Sequence, residues 1–212
     1  MVIGERMLIA IEGLIGIGKS TLQQLLLEIY MGKAIEQDFI NHPYLQRFYS
    51  TPKKYSLETI MIFLFMGYHQ ILHTDSRNQL MISDFTFQKF LVFGSLDLSS
   101  DDYSQLMYYN YNYLIKTVPK PDLIIYLKGS IELVMSRIKL RGREMELGIQ
   151  PDYLTSLEDA YLRILSDYNQ SQLLVVNSDT LDLSIESESF IGLCKDLEEA
   201  IPQLSSFRRF NK

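Results

Sequence analysis

An α/β fold built on a parallel five-stranded sheet, with helices on both faces, is what this 212-residue sequence predicts. Three observations carry that expectation. Short apolar runs alternate with longer segments of helical period, the pattern of strands joined by crossover helices. The stretch Gly13-Leu14-Ile15-Gly16-Ile17-Gly18-Lys19-Ser20-Thr21 satisfies the phosphate-loop pattern GxxxxGK[ST] and lies between one such run and one such helix. No internal repeat or low-complexity linker interrupts the chain, so residues 1–212 read as a single domain.

The elements follow in order. Met7–Glu12 is the first strand, and Thr21–Tyr30 the first helix, with Leu22, Leu25, Leu26 and Ile29 at helical spacing. A short strand is expected over Ala34–Gln37, then a loop with a short helix over Asn41–Pro52, then a long helix over Ser56–His73. Leu80–Ser83 reads as a buried strand ending at Asp84, followed by helices over Phe85–Phe93 and Asp101–Val118. Pro119 and Pro121 punctuate the chain before the clean apolar strand Leu123–Leu127. Ser130–Leu140 is helical, Arg141–Ile149 a charged loop, and Pro151–Tyr168 a helix with proline near its start. Leu173–Val176 is the last strand and Ser187–Ala200 the last helix. In a sheet of this kind ligands bind at the carboxyl ends of the strands, where Gly13–Ser20, Gln37 and Asp84 all fall.

Composition narrows the function. A net charge of -6 with no sustained basic block disfavours nucleic-acid binding. Ile60–Gly67 is apolar but too short to span a bilayer, and Met7–Ile11 runs directly into the glycine-rich loop, so neither membrane partner nor secretory leader is expected. The one cysteine, Cys194, forms no internal disulfide and lies in a late apolar segment, which suits a buried thiol in a reducing cytoplasm. The tail Phe207-Arg208-Arg209-Phe210 has no assignable role and is expected to fray.

The phosphate loop supplies the chemistry. The glycines, Gly13, Gly16 and Gly18, let backbone N–H groups curl around a polyphosphate, and the helix N-terminus at Ser20 and Thr21 adds positive potential. Lys19 reaches the terminal phosphates and the Ser20 hydroxyl ligates Mg2+. Downstream, Arg137, Lys139, Arg141 and Arg143 gather four cations in seven residues. Such a cluster suits a solvated helix end. After a complete phosphate loop it suits better an arginine-bearing lid over about residues 137–149, because guanidinium forks neutralise the charge of a phosphoryl group in transfer. Asp84 is placed to hold the water shell of Mg2+ or to cap the next helix, and both roles can coexist. Phe85, Phe87, Phe90 and Phe93 serve either core packing or a wall against a planar base. His69 and His73 share a helical face, but no third ligand accompanies them, so a metal pair is disfavoured.

These segments together resemble the bacterial deoxynucleoside kinases, the family of deoxyadenosine and deoxyguanosine kinases. The likeness runs through GLIGIGKST, HPYLQRFYSTPKKYS, SDFTFQKFLVFG, PKPDLIIYL, SRIKLRGREMELGIQPDYL and LLVVNSDTLD, in that order. It implies a P-loop kinase fold, and ATP phosphorylating the 5′-hydroxyl of a deoxynucleoside. It implies that Gly13–Thr21 bind ATP, that Arg137, Arg141 and Arg143 belong to the lid, and that Asp84 lies near Mg2+. Tyr49 and Glu146 match the pair that holds the sugar 3′-hydroxyl. It also implies a homodimer packed through helices, or pairing with a related subunit. The helices over Phe85–Phe93 and Asp101–Val118 are the candidates, and the tyrosines Tyr103, Tyr108, Tyr109, Tyr111 and Tyr113 of the latter suit such an interface, though burial in the core explains part of that face equally well.

The departures concentrate on the acceptor side. Where the resemblance implies a glutamate base, five residues before the element His42-Pro43-Tyr44-Leu45, this chain has Gln37, an amide that accepts no proton at working pH. Glu36 and Asp38 flank it and point to the opposite face unless the strand shifts register. Ile60 stands where a helix glutamine pairs with the base edge, so the substrate wall there gives shape without hydrogen-bond discrimination. Phe85 and Gly67 stand at arginine positions, and Phe90-Leu91 at an Asp-Arg pair. The expected function is a deoxynucleoside kinase. The alternative is a catalytically impaired relative that binds and senses a nucleotide, and a nucleoside monophosphate kinase is disfavoured by the missing arginines.

Overall fold

The computed structural model describes residues 6–37, 41–74, 79–166 and 172–209. Five strands, β1 (Met7–Gly13), β2 (Gly32–Ile35), β3 (Leu80–Ser83), β4 (Leu123–Lys128) and β5 (Gln172–Asn177), form one sheet in the order β2-β3-β1-β4-β5. Every neighbouring pair is parallel. The helices are α1 (Lys19–Ile29), α2 (Leu45–Ser50), α3 (Pro52–His73), α4 (Gln88–Asp97), α5 (Ser100–Tyr109), α6 (Ile131–Arg141), α7 (Pro151–Ser166) and α8 (Glu188–Ala200).

Strand alternation explains the two cores. Met7, Ile9 and Ile11 of β1 join Leu80 and Ile82 of β3 in a cluster with Leu22, Leu26, Val134, Leu154, Leu157 and Phe190 from α1, α6, α7 and α8. Leu8 and Met81 point the other way, into a cluster with Leu45, Phe63, Leu64, Phe90 and Leu106 from α2, α3, α4 and α5. Helices therefore cover both faces, as a parallel sheet requires. Gln23 locks one helix to the strand ends: wholly buried on α1, it donates through Nε2 to the carbonyls of Ile35 at 3.1 Å and Ile82 at 2.7 Å.

Several element boundaries move. The helix expected over Phe85–Phe93 starts at Gln88, because side chains claim the backbone before it. The Ser83 hydroxyl donates to the Phe85 carbonyl at 2.7 Å, and the Thr86 N–H donates to Glu12 Oε1 at 2.6 Å. The helix expected over Asp101–Val118 gives way after Tyr109 to a π-helical turn, Asn110–Leu114. There the buried Asn110 sends Nδ2 to the Phe87 carbonyl at 3.2 Å, and the Ile115 N–H bonds the Asn110 carbonyl at 2.9 Å. The second strand ends at Ile35, two residues short of Gln37, and the long helix starts at Pro52, with proline in its first turn.

The C-terminal tail does not fray through Arg209. The Met31 N–H bonds the Phe207 carbonyl at 2.6 Å, and the Arg209 N–H bonds the Ile29 carbonyl at 2.9 Å. Arg208 Nε donates to Glu198 at 2.5 Å, and Glu198 also accepts from the Tyr30 hydroxyl at 2.9 Å. Phe210 lies outside the described residues.

Candidate active site

The site forms where β2, β3 and β1 end side by side. Ile35 and Ala10 are both register partners of Ser83, so Gln37, Asp84 and Gly13 emerge from three adjacent strands. The Asp84 N–H bonds the Ile35 carbonyl at 3.1 Å, carrying the ladder one step past β3. A cavity of about 580 Å³ opens above these ends, a size that suits small-molecule sites.

One end of the cavity is the phosphate loop. Gly18 has φ 114°, a left-handed conformation that glycine adopts without strain, and it starts α1 with no side-chain cap. The first N–H groups of α1 therefore remain for an anion. At Gly13, φ 142°, a side chain is impossible without moving backbone, since a Cβ would lie 2.5 Å from the Leu127 carbonyl oxygen. Lys19 Nζ folds onto its own loop, donating to the carbonyls of Gly13 at 2.7 Å and Leu14 at 2.8 Å. Burial, then the nearby Lys89, lower its pKa to about 7.

The sequence-predicted residues meet on this cavity, with one exception. Gly13, Gly16, Gly18, Lys19, Ser20 and Thr21 line it, together with Gln37, Tyr49, Ile60, Asp84, Arg137, Arg141, Arg143 and Glu146. Arg137 donates to the Ile17 carbonyl of the phosphate loop. Arg141 and Arg143 both donate to the buried Glu146, Arg143 at 3.3 Å. Burial and the neighbouring Glu146 carboxylate raise the Tyr49 pKa, which ties Tyr49 electrostatically to Glu146. Ile60, Phe48, Phe63, Phe90 and Phe93 supply apolar walls.

Phe85 is the exception. It does not line the cavity: it is buried in the core, with its ring beside Phe87 and Phe90. A Cβ at Gly67 would come within 2.7 Å of that ring. The Phe85 ring is seated on the gap that Gly67 leaves. Of the flanking carboxylates, Glu36 is exposed while Gln37 is buried, so strand register does not bring Glu36 into the cavity; Asp38 lies outside the described residues.

A magnesium site fits the residues present. The Ser20 hydroxyl donates to Asp84 Oδ2 at 3.3 Å, and Asp84 Oδ1 is buried without a hydrogen-bond partner. Oxygen donors beside a polyphosphate are what Mg2+ takes.

Two residues at the candidate site escaped the sequence reading. Glu12, wholly buried just before the glycine-rich loop, accepts from both the N–H and the hydroxyl of Thr86, at 2.6 and 2.7 Å, and so positions the turn that carries Asp84. Burial raises its pKa against the pull of Lys89. Lys89, at the cavity wall, donates to Gln37 Oε1 at 2.6 Å. A lone cation inside the run Phe85–Phe93 was the available signal for it. His42, by contrast, is structural: its ring stacks on Phe63 at 4.0 Å and its Nε2 meets the Thr59 carbonyl at 3.1 Å. No cluster of three metal-binding side chains occurs among the described residues, and His69 and His73 stack on each other at 4.1 Å.

Comparison with known proteins fits this geometry. The family model for deoxynucleoside kinase matches residues 9–202. The deoxyguanosine kinase of Bacillus subtilis (strain 168) is 32% identical over 203 residues, covering 91% of this chain and 97% of that protein. A deoxyadenosine kinase of Dictyostelium discoideum is 34% identical over 168 residues, covering 76% of this chain and 68% of that protein. Among solved structures, the deoxyadenosine kinase from M. mycoides with bound dCTP superposes with a TM-score of 0.77 at 25% identity, covering 92% of this chain and 100% of that one. Phosphate loop, sheet order and relatives agree: this chain belongs to the deoxynucleoside kinase family and is a phosphotransferase.

Proposed function

We propose that this enzyme transfers the γ-phosphate of ATP to the 5′-hydroxyl of a purine 2′-deoxynucleoside in the cytoplasm. The observation that carries the reading is a single cavity lined both by the phosphate loop and by Tyr49 and Glu146. The purine is supported by relatives named for deoxyguanosine and deoxyadenosine. Ile60 adds shape without a hydrogen bond to the base edge, so preference among bases is modest.

In this reading the loop N–H groups and Lys19 hold the β- and γ-phosphates, and Arg137, Arg141 and Arg143 neutralise charge as the phosphoryl group moves. Tyr49 and Glu146 hold the sugar 3′-hydroxyl. Ser20 and Asp84 would hold Mg2+, which would supply positive charge against the phosphate oxygens. Gln37 takes the place of a carboxylate base. A loose transition state asks little of such a base, so its absence is compatible with turnover. The alternative, a relative without activity that senses nucleotide levels, draws no support from relatives that are kinases by name.

We also place a second copy of the chain on the α3–α5 surface. Phe65 and Leu72 of α3 are 53% and 42% exposed. Tyr108, Tyr109 and Tyr113 form an exposed aromatic cluster with ring centroids 5.8–6.0 Å apart. The Thr117 hydroxyl donates to Tyr68 at 3.1 Å, which joins the two patches. No helix among the described residues is long and apolar enough to cross a membrane.

The test is a mixed-acceptor assay. Purified protein is incubated with Mg-ATP and four deoxynucleosides in equal amounts, and monophosphates are read by mass spectrometry. A purine monophosphate is the expected main product, and Lys19→Ala is expected to abolish it. Product that survives Lys19→Ala overturns the assignment of the phosphate loop.

A further inference from the structure

Lys89 is the one cation in the aromatic stretch from Phe85 to Phe93, and it lies at the cavity wall beside Gln37 and Asp84. Its ammonium donates to Gln37 Oε1 at 2.6 Å, the short length of a charge-assisted bond. Lysine has donors only, so Gln37 must turn its carbonyl to Lys89 and its amide NH2 away. That Nε2 is buried and without a hydrogen-bond partner, on a residue only 6% exposed. The acceptor end thus offers two donors, where a carboxylate base would offer acceptors only.

Two carboxylates oppose the cost of burying the Lys89 ammonium without cancelling it. Burial lowers the Lys89 pKa, and Asp84 and Glu12 oppose that pull. Lys89 is also close enough to Lys19 to lower that group in turn, which puts its charge beside the phosphate loop. The site therefore carries a cation from the acceptor side while Phe85 keeps its own position apolar.

We propose that Lys89 is a catalytic residue of the transfer: anchored by Gln37, its ammonium stabilises charge on the transferring phosphoryl group, while Gln37 Nε2 orients the 5′-hydroxyl through one lone pair and leaves the other to attack. This rests on the reading of the site as a deoxynucleoside kinase. The 5′-oxygen forms a bond to the γ-phosphorus, and the bond from that phosphorus to the bridging oxygen breaks, its electron pair leaving with ADP. The hydroxyl proton passes to a non-bridging oxygen of the transferred group. No side-chain carboxylate enters the step. Donors fixed where charge develops lower a barrier without reorganising during the reaction.

Steady-state kinetics of Lys89→Gln, Lys89→Arg and Gln37→Met test this, with whichever deoxynucleoside gives product in the mixed-acceptor assay. Lys89→Gln is expected to lower kcat about 100-fold, the usual loss for one preorganised donor, with the KM for ATP within about threefold. Lys89→Arg keeps the charge and is expected to recover at least about tenfold of that loss. Gln37→Met removes the anchor and is expected to lower kcat about tenfold or more. Binding gives a readout that a packing role would not move. Lys89→Gln is expected to weaken the complex of Mg-ADP, aluminium fluoride and deoxynucleoside, a mimic of the charged transfer state, while ADP alone binds as before.

A kcat within threefold of wild type in Lys89→Gln overturns the proposal, as does equal loss in Lys89→Arg and Lys89→Gln. If Lys89→Gln does not fold, an unchanged kcat in Gln37→Met overturns it. Absence of product from the wild-type protein defeats the kinase reading itself. Wild-type turnover that is indifferent to position 89 defeats only the role given to Lys89.

Discussion

At the scale of single residues, positions far apart in the chain depend on each other. Phe85 and Gly67 are each other's explanation, because the ring fills the space that any side chain at position 67 would enter. Gly67→Ala is therefore expected to destabilise the protein by about 1–3 kcal/mol, the usual cost of overpacking, measured by denaturant unfolding. Gly67→Ala combined with Phe85→Leu is expected to recover most of that loss. Residue-level legibility was uneven for the same reason. Lys19, Ser20 and the three loop glycines announce themselves through local spacing. The meaning of Lys89 needs Gln37, which lies 52 residues away and meets it only once two strands and two helices are in place. The burial of Phe85 likewise depends on a gap in another helix, which no spacing rule reads.

At the scale of elements, one polar contact between helices carries a pH signature. Tyr153 of α7 donates its hydroxyl to Asp97 of α4 at 2.9 Å, and burial raises the Asp97 pKa to about 6. The folded state then binds more protons than the unfolded one between the ordinary aspartate value and about 6. The stabilisation is fully present below pH ~4 and is lost as pH rises through ~6. Asp97→Asn removes that loss. It is expected to be more stable than wild type at pH 7 by about 1–2 kcal/mol, and to show little difference at pH 4, by thermal unfolding across that range. Strands and their order of appearance were legible from apolar runs, but helix boundaries at Gln88 and Tyr109 were not. Ser83, Glu12 and Asn110 set those boundaries through bonds to backbone groups that helical periodicity does not register.

At the scale of the whole molecule, the exposed aromatic cluster at the end of α5 and the apolar residues of α3 define the proposed dimer face. Tyr109→Glu with Tyr113→Glu places like charges in that face and is expected to yield monomers by light scattering, with the fold kept by circular dichroism. An unchanged dimer would assign the contact to another surface. The C-terminal segment shows the limits of composition at this scale. With no assignable role it was expected to fray, yet Phe207 and Arg209 bond the chain around Ile29 and Met31, between α1 and β2.

Glu146 has a consequence for how the two substrates influence each other. It holds Arg141 and Arg143 and raises the pKa of Tyr49, groups that the proposed function assigns to the phosphate and the sugar. A phosphate that draws the guanidinium groups away changes the charge that Tyr49 faces, and a sugar hydroxyl that engages Glu146 loosens its grip on the arginines. Linkage makes such an exchange mutual: whatever factor the acceptor applies to the affinity for the donor, the donor must return to the acceptor. In the proposed function one carboxylate thereby couples filling of the two half-sites.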